Sequence, residues 1–313
     1  MTTAFVFPGQ GSQSIGMGFD LCNSFEVAKR VFEEVDEALH QNLSALMFAG
    51  DDATLMQTQN AQPAIMAVGM AVVKVLEAES GKKISDLVSC VAGHSLGEYT
   101  ALCAAGALDV ARTAKLLRLR GLAMAEAAEK NPGAMAAILA LTKTQVQEVI
   151  DHTDLNGEIC VVANDNCPGQ VVISGHNDAV AAVMAGCQAA GAKRAIKLAV
   201  SGGFHSPLMV EAAEKMKDVL AETIMQTPVV PVVSNVLAEP VQQVAQIKEL
   251  LVRQVTGSVL WTDSMHKMVK DMAIDRFVEC GNGKVLAGLV KKTYPEMPVV
   301  SIGNAVDIET FLK

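Results

Sequence analysis

A serine inside a Gly-x-Ser-x-Gly pattern is the residue of this chain best suited to chemistry. The pattern is formed by Gly93, Ser95 and Gly97. Such a serine sits on a sharp turn between a strand and a helix, where the glycines leave room for the tight backbone and the hydroxyl is exposed. The apolar residues 87–92 predict the strand, and the Ala- and Leu-rich residues 96–108 predict the helix. We therefore expect Ser95 to be a nucleophile, the alternative being a turn without chemistry.

A serine needs a base, and His205 is the best candidate among the six histidines. Ser206 and Pro207 predict the N-cap and first residue of a helix, whose positive end would keep the imidazole neutral. The alternative is a histidine that only caps the helix. We expect His94 to be structural, because neighbours at such a turn point in different directions. We expect the others to be solvated; these are His40, His152, His176 and His266.

No acid is well placed as a third catalytic group. Four acids between Ser95 and His205 come into question, all in the segment 131–198 that we interpret below as an insert, and none has a persuasive setting: Asp151, Asp154, Asp165 and Asp178. The residues thus predict a Ser-His pair whose imidazole is oriented by something else, such as a backbone carbonyl. For the developing oxyanion, the backbone N–H of Leu96 is one expected donor, and a turn at residues 9–11 suits a second.

Arg120 is predicted to face inward. At helical spacing it is surrounded by Leu116, Leu117, Ala123 and Met124, whereas Arg118 is predicted to reach water. A buried guanidinium needs an anion. Two interpretations stay open: an internal ion pair with Asp or Glu, or a fork that binds a substrate carboxylate.

Short strands alternate with longer helices on both sides of Ser95, which predicts an α/β fold with a parallel sheet flanked by helices. The pattern changes after residues 131–133. Residues 131–198 read as β-α-β-β-α-β, with a capping box at Thr142 and Gln145 and a turn over residues 164–169. We interpret 131–198 as a ferredoxin-like insert in a core formed by 1–130 and 199–313.

Two glycine-rich segments resemble phosphate loops but fail the test. Position 14, where a dinucleotide fingerprint starting at Gly9 needs glycine, is Ser14. The segment Gly281-Asn282-Gly283-Lys284 lacks the earlier glycine, and Val285 stands where Ser or Thr should coordinate magnesium. We therefore expect no nucleotide cofactor, and no metal.

The composition narrows the class of protein further. The net charge of −9 over 313 residues argues against nucleic acid as a partner. Hydrophobic residues make up 50% but aromatic residues only 4%, so the core must be aliphatic, with 16 methionines. The apolar run 63–73 is too short for a bilayer, and no signal peptide is recognisable. Seven cysteines without a C-x-x-C pair indicate reduced thiols in the cytoplasm. We expect a monomer with no membrane contact.

Several fragments occur together and in order, and they resemble the malonyl-CoA:acyl carrier protein transacylase family from residue 3 to beyond residue 300. The fragments are 7–13, 62–64, 93–98, 120–121, 163–164, 168–170, 203–206, 254 and 261–262. The resemblance implies an α/β-hydrolase-like core with the ferredoxin-like insert. It also implies a ping-pong reaction in which Ser95 takes malonyl from malonyl-CoA and passes it to the pantetheine thiol of acyl carrier protein, without a cofactor.

The resemblance further implies a role for each site residue. His205 acts as base and then acid, Gln10 and Leu96 supply backbone donors to the oxyanion, and Arg120 holds the malonyl carboxylate. The main-chain carbonyl of Gln254 orients His205. A basic rim for the acidic carrier is expected at Lys193, Arg194, Lys197, Lys291 and Lys292. The alternative function is a serine thioesterase or esterase, which would use the same pair with water as acceptor.

Overall fold

The computed structural model describes all 313 residues, and they form two β-sheets flanked by helices. The strands, in chain order, are β1 (Thr3–Phe7), β2 (Cys90–Gly93), β3 (Gly133–Leu139), β4 (Cys160–Cys167), β5 (Gln170–His176), β6 (Arg194–Lys197), β7 (Val232–Val233), β8 (Pro240–Val241), β9 (Val259–Leu260), β10 (Arg276–Cys280) and β11 (Val299–Ile302).

Fifteen α-helices connect and cover these strands. They are α1 (Phe19–Ser24), α2 (Glu26–Leu39), α3 (Leu43–Ala49), α4 (Asp52–Met56), α5 (Thr58–Ser80), α6 (Ile84–Leu87), α7 (Gly97–Ala104), α8 (Val110–Lys130), α9 (Lys143–His152), α10 (Asn177–Ala189), α11 (Val210–Glu222), α12 (Val244–Thr256), α13 (Trp261–His266), α14 (Val285–Thr293) and α15 (Ala305–Leu312). A 3-10 turn (Pro207–Met209) precedes α11, and a π-helical turn (Lys267–Asp271) follows α13.

The larger sheet has the strand order β11-β10-β1-β2-β7-β8. Its first five strands are parallel, as predicted, but β8 pairs antiparallel with β7, so the sheet is mixed. The β1–β2 register pairs Phe7 with Gly93, so both strands end at the same edge. The strand expected over residues 87–92 begins only at Cys90, because Leu87 ends the short helix α6.

The smaller sheet has the strand order β6-β3-β5-β4-β9. The predicted β-α-β-β-α-β sequence is confirmed, and so is the capping box, because Thr142 and Gln145 bond reciprocally at the start of α9. The predicted turn over residues 164–169 is wrong for its first four residues, which extend β4 through two register shifts. A fifth strand, β9, comes from residues outside 131–198 and pairs parallel with β4.

The hydrophobic core has separate parts. A cluster of 64 buried residues joins the helices to one face of the larger sheet, while 14 others, all between Ala134 and Cys187, form a core under the smaller sheet. Helix α5 is long and apolar enough to cross a membrane by length and composition, yet 83% of its most apolar window is buried in the fold. Core helices show this pattern.

The helix predicted after Ser206 ends earlier than its apolar stripe suggests. Met209, Ala213, Met216 and Leu220 are buried, but Ile224 lies beyond the end of α11 and is 64% exposed. The helix that follows Ser95 is also shorter than predicted, ending at Ala104.

Candidate active site

The Gly-x-Ser-x-Gly segment forms a tight turn from β2 into α7. A Cβ at Gly93 would lie 1.8 Å from the carbonyl oxygen of Gly97, and a Cβ at Gly97 would lie 2.3 Å from the carbonyl oxygen of Phe7. No side chain fits at either position. Ser95 itself has a φ of 53°, in the left-handed region that non-glycine residues rarely adopt. Such strain is typical of functional sites and must be held by the surroundings.

Ser95 and His205 are hydrogen-bonded although 110 residues separate them, with 2.8 Å between Oγ and Nε2. His205 lies just before the 3-10 turn, also has a left-handed φ, of 56°, and is 4% exposed. Its Nδ1 faces the carbonyl oxygens of Gln254 at 2.8 Å and Gly257 at 3.2 Å. Since both are acceptors, Nδ1 carries the ring proton and Nε2 accepts from the serine hydroxyl.

The surroundings keep His205 neutral. Burial, followed by the charge of Arg120, lowers the pKa of His205 from 6.5 to about 3. The side chain of Ser206 caps the turn that follows by accepting from the backbone N–H of Leu208 at 3.3 Å, and Pro207 occupies the first turn position. A neutral imidazole whose Nε2 accepts from the serine hydroxyl has the geometry of a general base.

Arg120 is 1% exposed and its guanidinium points at the serine. One terminal nitrogen donates to Oε1 of Gln62 at 2.8 Å, and the other donates to Oε1 of Gln254 at 2.9 Å and to Oγ of Ser95 at 3.2 Å. Nε has no partner. No carboxylate comes within 4 Å of it, so the ion-pair interpretation is wrong. A buried cation beside the nucleophile, bonded only to neutral groups, suits an anionic substrate.

Gln254, on α12, connects the three functional side chains. Its main-chain carbonyl accepts from His205, its side-chain nitrogen donates to the carbonyl of Ser95 at 2.9 Å, and its side-chain oxygen accepts from Arg120. The family resemblance implies only the carbonyl contact. The sequence could still have predicted that the side chain of Gln254 is buried, because it lies on the apolar face of α12 with Ile247, Leu250 and Leu251.

Two backbone N–H groups near the serine have no acceptor in the protein, namely those of Gln10 and Leu96. Gln10 lies in the turn after β1. This turn is next to the Gly-x-Ser-x-Gly turn after β2, because β1 and β2 are neighbours in the sheet. The hydroxyl of Ser12 donates to the carbonyl of Gly9 at 2.6 Å and closes this turn. Unbonded backbone donors close to a nucleophile are what an oxyanion hole requires.

A cavity of about 450 Å³ leads to Ser95, His205 and Arg120. The apolar wall is formed by Met135 of the smaller sheet, by Met124 of α8, and by three residues after β6: Leu198, Val200 and Phe204. Asn164, from the part of β4 predicted to be a turn, also lines it. The site thus lies where the two sheets meet.

Three of the remaining histidines, His94, His176 and His266, bond other parts of the protein, and the other two are exposed. His94 lines the cavity, but its Nε2 bonds Oδ1 of Asn166 at 2.8 Å and its ring packs edge-on against Trp261. The expectation of solvated histidines holds for His40 and His152, which are exposed, and is wrong for two others. His176 accepts from the N–H of Ile159, and His266 bonds the hydroxyl of Tyr294.

Arg118 also differs from its prediction. Half-buried on α8, it bonds Asn60 and Gln41 rather than reaching only water. None of the histidines belongs to a group of three or more side chains able to hold a metal ion.

Comparison with known proteins identifies the family. The profile of the acyl transferase domain matches residues 4–308. The malonyl CoA-acyl carrier protein transacylase of Bacillus subtilis is 44% identical over 98% of this chain and 95% of its own length, and that of Escherichia coli K12 is 40% identical over 92% of each. The acyl-carrier-protein-S-malonyltransferase structure from Bartonella henselae superposes with a TM-score of 0.96, at 44% identity, covering 100% of this chain and 98% of that one.

A second solved structure contains a malonyl-transacylase in complex with a type II PKS acyl-carrier protein. It superposes with a TM-score of 0.95 at 38% identity and covers 100% of this chain and 99% of that one. The two curated relatives cover 98% and 92% of the chain, and the two solved structures cover all of it. The chain therefore belongs to the malonyl CoA-acyl carrier protein transacylase family of acyl transferases.

Proposed function

We propose that this protein transfers the malonyl group of malonyl-CoA to the phosphopantetheine thiol of acyl carrier protein through a malonyl ester on Ser95, supplying fatty acid synthesis. The observation that carries the proposal is the buried Arg120, whose guanidinium lies 3.2 Å from the nucleophilic oxygen without a carboxylate partner. A pocket that places a cation beside the acyl site favours a dicarboxylic acyl group. The family membership supports the same substrate and acceptor.

In the first half-reaction, Nε2 of His205 takes the hydroxyl proton of Ser95 while Oγ attacks the thioester carbonyl. The backbone N–H groups of Gln10 and Leu96 donate to the oxyanion that forms. Collapse of the tetrahedral intermediate breaks the carbon–sulfur bond, and the departing thiolate takes the proton from His205. Free CoA leaves, and malonyl remains as an ester on the serine.

The second half-reaction reverses these steps with another thiol. His205 takes the proton of the carrier's pantetheine thiol, whose sulfur attacks the ester carbonyl. When the carbon–oxygen bond to Ser95 breaks, the proton returns to Oγ. No net proton or electron is gained, and none of these steps as written calls for a cofactor or a metal. The carbonyls of Gln254 and Gly257 hold the imidazole in one tautomer throughout.

Carrier docking is part of the same proposal. Exposed basic residues on β6, the turn before it and α14 provide a rim for an acidic partner: Lys193, Arg194, Lys197, Lys291 and Lys292. The residues that follow β6, among them Leu198 and Val200, line the cavity, so a carrier bound there would have a short path to Ser95.

The seven unpaired cysteines support a cytoplasmic, reducing setting. We keep the expectation of a monomer with no nucleic acid or membrane partner.

The proposal extends to the architecture. The parallel strands around β1 and β2, with a nucleophile elbow after β2, support an α/β-hydrolase-like core of residues 1–130 and 199–313. The strand order β6-β3-β5-β4 and the separate core support a ferredoxin-like insert of residues 131–198. The short strand β9 of the core would then attach the insert's sheet to the rest.

The test is to follow the acyl group. Incubation with malonyl-CoA should add the mass of one malonyl group at Ser95, and acyl carrier protein bearing its pantetheine should remove it faster than buffer alone. Ser95→Ala should abolish loading, while Ser89→Ala, an exposed serine just before β2, should not. Discharge by water as fast as by the carrier would instead identify a hydrolase, and absence of loading would refute the proposal.

A further inference from the structure

Glu98 is a buried acid that the reaction does not use. It lies in the first turn of α7, three residues after the nucleophile, and is 2% exposed. No lysine, arginine or histidine forms an ion pair with it. Burying a carboxyl group without a directly paired cation is costly, so its hydrogen bonds and the nearby charge of Arg120 must offset that cost. Oε2 accepts from the side-chain nitrogen of Gln254 at 2.7 Å and from the backbone N–H of Asn235 at 3.2 Å.

The bond from Gln254 to Glu98 is one of three contacts that fix which way the side-chain amide of Gln254 faces. On the nitrogen side of that amide lie two acceptors, Oε2 of Glu98 and the carbonyl oxygen of Ser95. On the oxygen side lies a donor, the guanidinium of Arg120. Only one orientation satisfies all three contacts, because a turned amide would present NH2 to the guanidinium and oxygen to two acceptors. By holding the amide nitrogen, Glu98 keeps Oε1 of Gln254 in front of the Arg120 guanidinium as an acceptor.

The same group of side chains holds the strained serine. Asn235 accepts from the N–H of Ser95 at 2.7 Å and donates to the carbonyl of Gly93 at 2.7 Å. Gln254 donates to the carbonyl of Ser95, so both backbone polar groups of the nucleophile are bound by buried amides. The carboxyl group of Glu98 contacts both amide residues: it accepts from the side chain of Gln254 and from the backbone N–H of Asn235.

We propose that Glu98 is a positioning residue that fixes the side-chain amide of Gln254, so that Arg120 presents its guanidinium to the malonyl carboxylate; this rests on the function proposed above. Burial raises the pKa of Glu98 to about 7. Both the carboxylate and the carbonyl oxygen of the protonated acid accept hydrogen bonds, so the amide is held in either state. A glutamine at this position keeps such a carbonyl, whereas an alanine does not.

The test compares Glu98→Ala, Glu98→Gln and the control Thr100→Val. Thr100 is buried on the same helix and its hydroxyl has no partner, so the control perturbs the helix but not the network. We measure the second-order rate of acyl-enzyme formation from malonyl-CoA and from acetyl-CoA, with thermal unfolding as a check of folding. We expect Glu98→Ala to lower the malonyl-to-acetyl rate ratio about tenfold, the effect of one lost hydrogen bond to a charged group. We expect Glu98→Gln and Thr100→Val to keep the ratio within about twofold, a change worth less than about 0.5 kcal/mol.

Equal losses for the two substrates in Glu98→Ala, or an unchanged ratio, would overturn the role of Glu98. So would a Glu98→Gln variant as impaired as Glu98→Ala. If Glu98→Ala does not fold, Gln254→Met tests whether the side-chain amide sets the ratio, because it removes the amide with its bonds to Glu98, Arg120 and Ser95 and keeps the main-chain carbonyl used by His205. An unchanged ratio in Gln254→Met would also overturn the proposal. Failure of the proposed function would look different, since the wild-type enzyme would then not load malonyl.

Discussion

Replacing Arg120 by methionine tests the basis of substrate choice. The side chain is buried, and its protein partners are the neutral amides of Gln62 and Gln254 and the hydroxyl of Ser95. In the proposed complex the malonyl carboxylate is the only anion that pairs with it. Methionine fills similar volume with a flexible apolar chain, so the fold should tolerate the change better than alanine. The variant would leave the malonyl carboxylate in a buried site without a cation.

The expected loss is large and specific. Removing one partner of a buried ion pair costs about 3–5 kcal/mol, which corresponds to roughly two to three and a half orders of magnitude in kcat/KM for malonyl-CoA. Acetyl-CoA has no carboxylate, and in the wild type it leaves the guanidinium buried and unpaired at a cost of about 1–3 kcal/mol. Acetyl transfer should therefore stay within about tenfold of wild type or rise.

The assay follows acyl-enzyme formation by intact mass with each thioester over a range of concentrations. Arg118→Met is the matched control, because it removes the same charge two residues earlier on α8 from a side chain that bonds Asn60 and Gln41 outside the cavity. It should leave the malonyl-to-acetyl ratio unchanged. Equal losses for both thioesters in Arg120→Met, or the same shift in Arg118→Met, would refute the carboxylate-binding role.

Three further perturbations address His205, the turn after β1 that carries Gln10, and the smaller sheet. Because the unfolded state protonates His205 near pH 6.5 and the folded state only near pH 3, folding stability should fall on acidification between these values, by up to about 1.4 kcal/mol per pH unit. Urea unfolding of His205→Gln should lack this part of the slope; parallel pH dependences would contradict the neutral buried imidazole. Asn282 donates to the carbonyl of Ser12 at 2.6 Å and the hydroxyl of Ser14 at 3.0 Å, next to the turn that carries Gln10. Asn282→Ala should lower kcat several-fold for both thioesters and leave their ratio unchanged, and a changed ratio would show that the turn acts on specificity. Thr142→Ala should destabilise the protein by about 1 kcal/mol through loss of the capping box, measured by thermal unfolding, whereas exposed Thr144→Ala should not.

Local patterns were enough to predict the residues whose signal lies within a few neighbours. Ser95 follows from two glycines at fixed spacing, and the inward side of Arg120 follows from apolar residues three and four positions away. The order of strands and helices follows from hydrophobic periodicity, since the predicted β-α-β-β-α-β segment is present. Each of these needs only the residues of one element and its turns.

Contacts between distant elements could not be predicted in this way. Glu98, Asn235 and Gln254 meet although the last two lie 137 and 156 residues from the first. The apolar face of α12 marks Gln254 as buried, but no local pattern shows that it meets Glu98 and Asn235. The prediction for residues 164–167 failed for a related reason. Asn and Asp favour turns locally, but here Asp165 bonds Thr262 and Asn166 bonds His94, and these tertiary contacts outweigh the local preference.

The pairing of β1 with β2 explains why Gln10 and Leu96, the two proposed oxyanion donors, follow strands that end at the same edge of the sheet. The register sets Phe7 opposite Gly93, so the turn with Gln10 and the elbow with Ser95 leave the sheet side by side. Gly97 sets how closely they approach, because a Cβ there would lie 2.3 Å from the carbonyl oxygen of Phe7. Any side chain at that position must push the end of β1 away from the helix. Gly97, the second glycine of the pattern, thus lets the turn that carries Gln10 lie close to the serine, in addition to making room for the Gly-x-Ser-x-Gly turn itself.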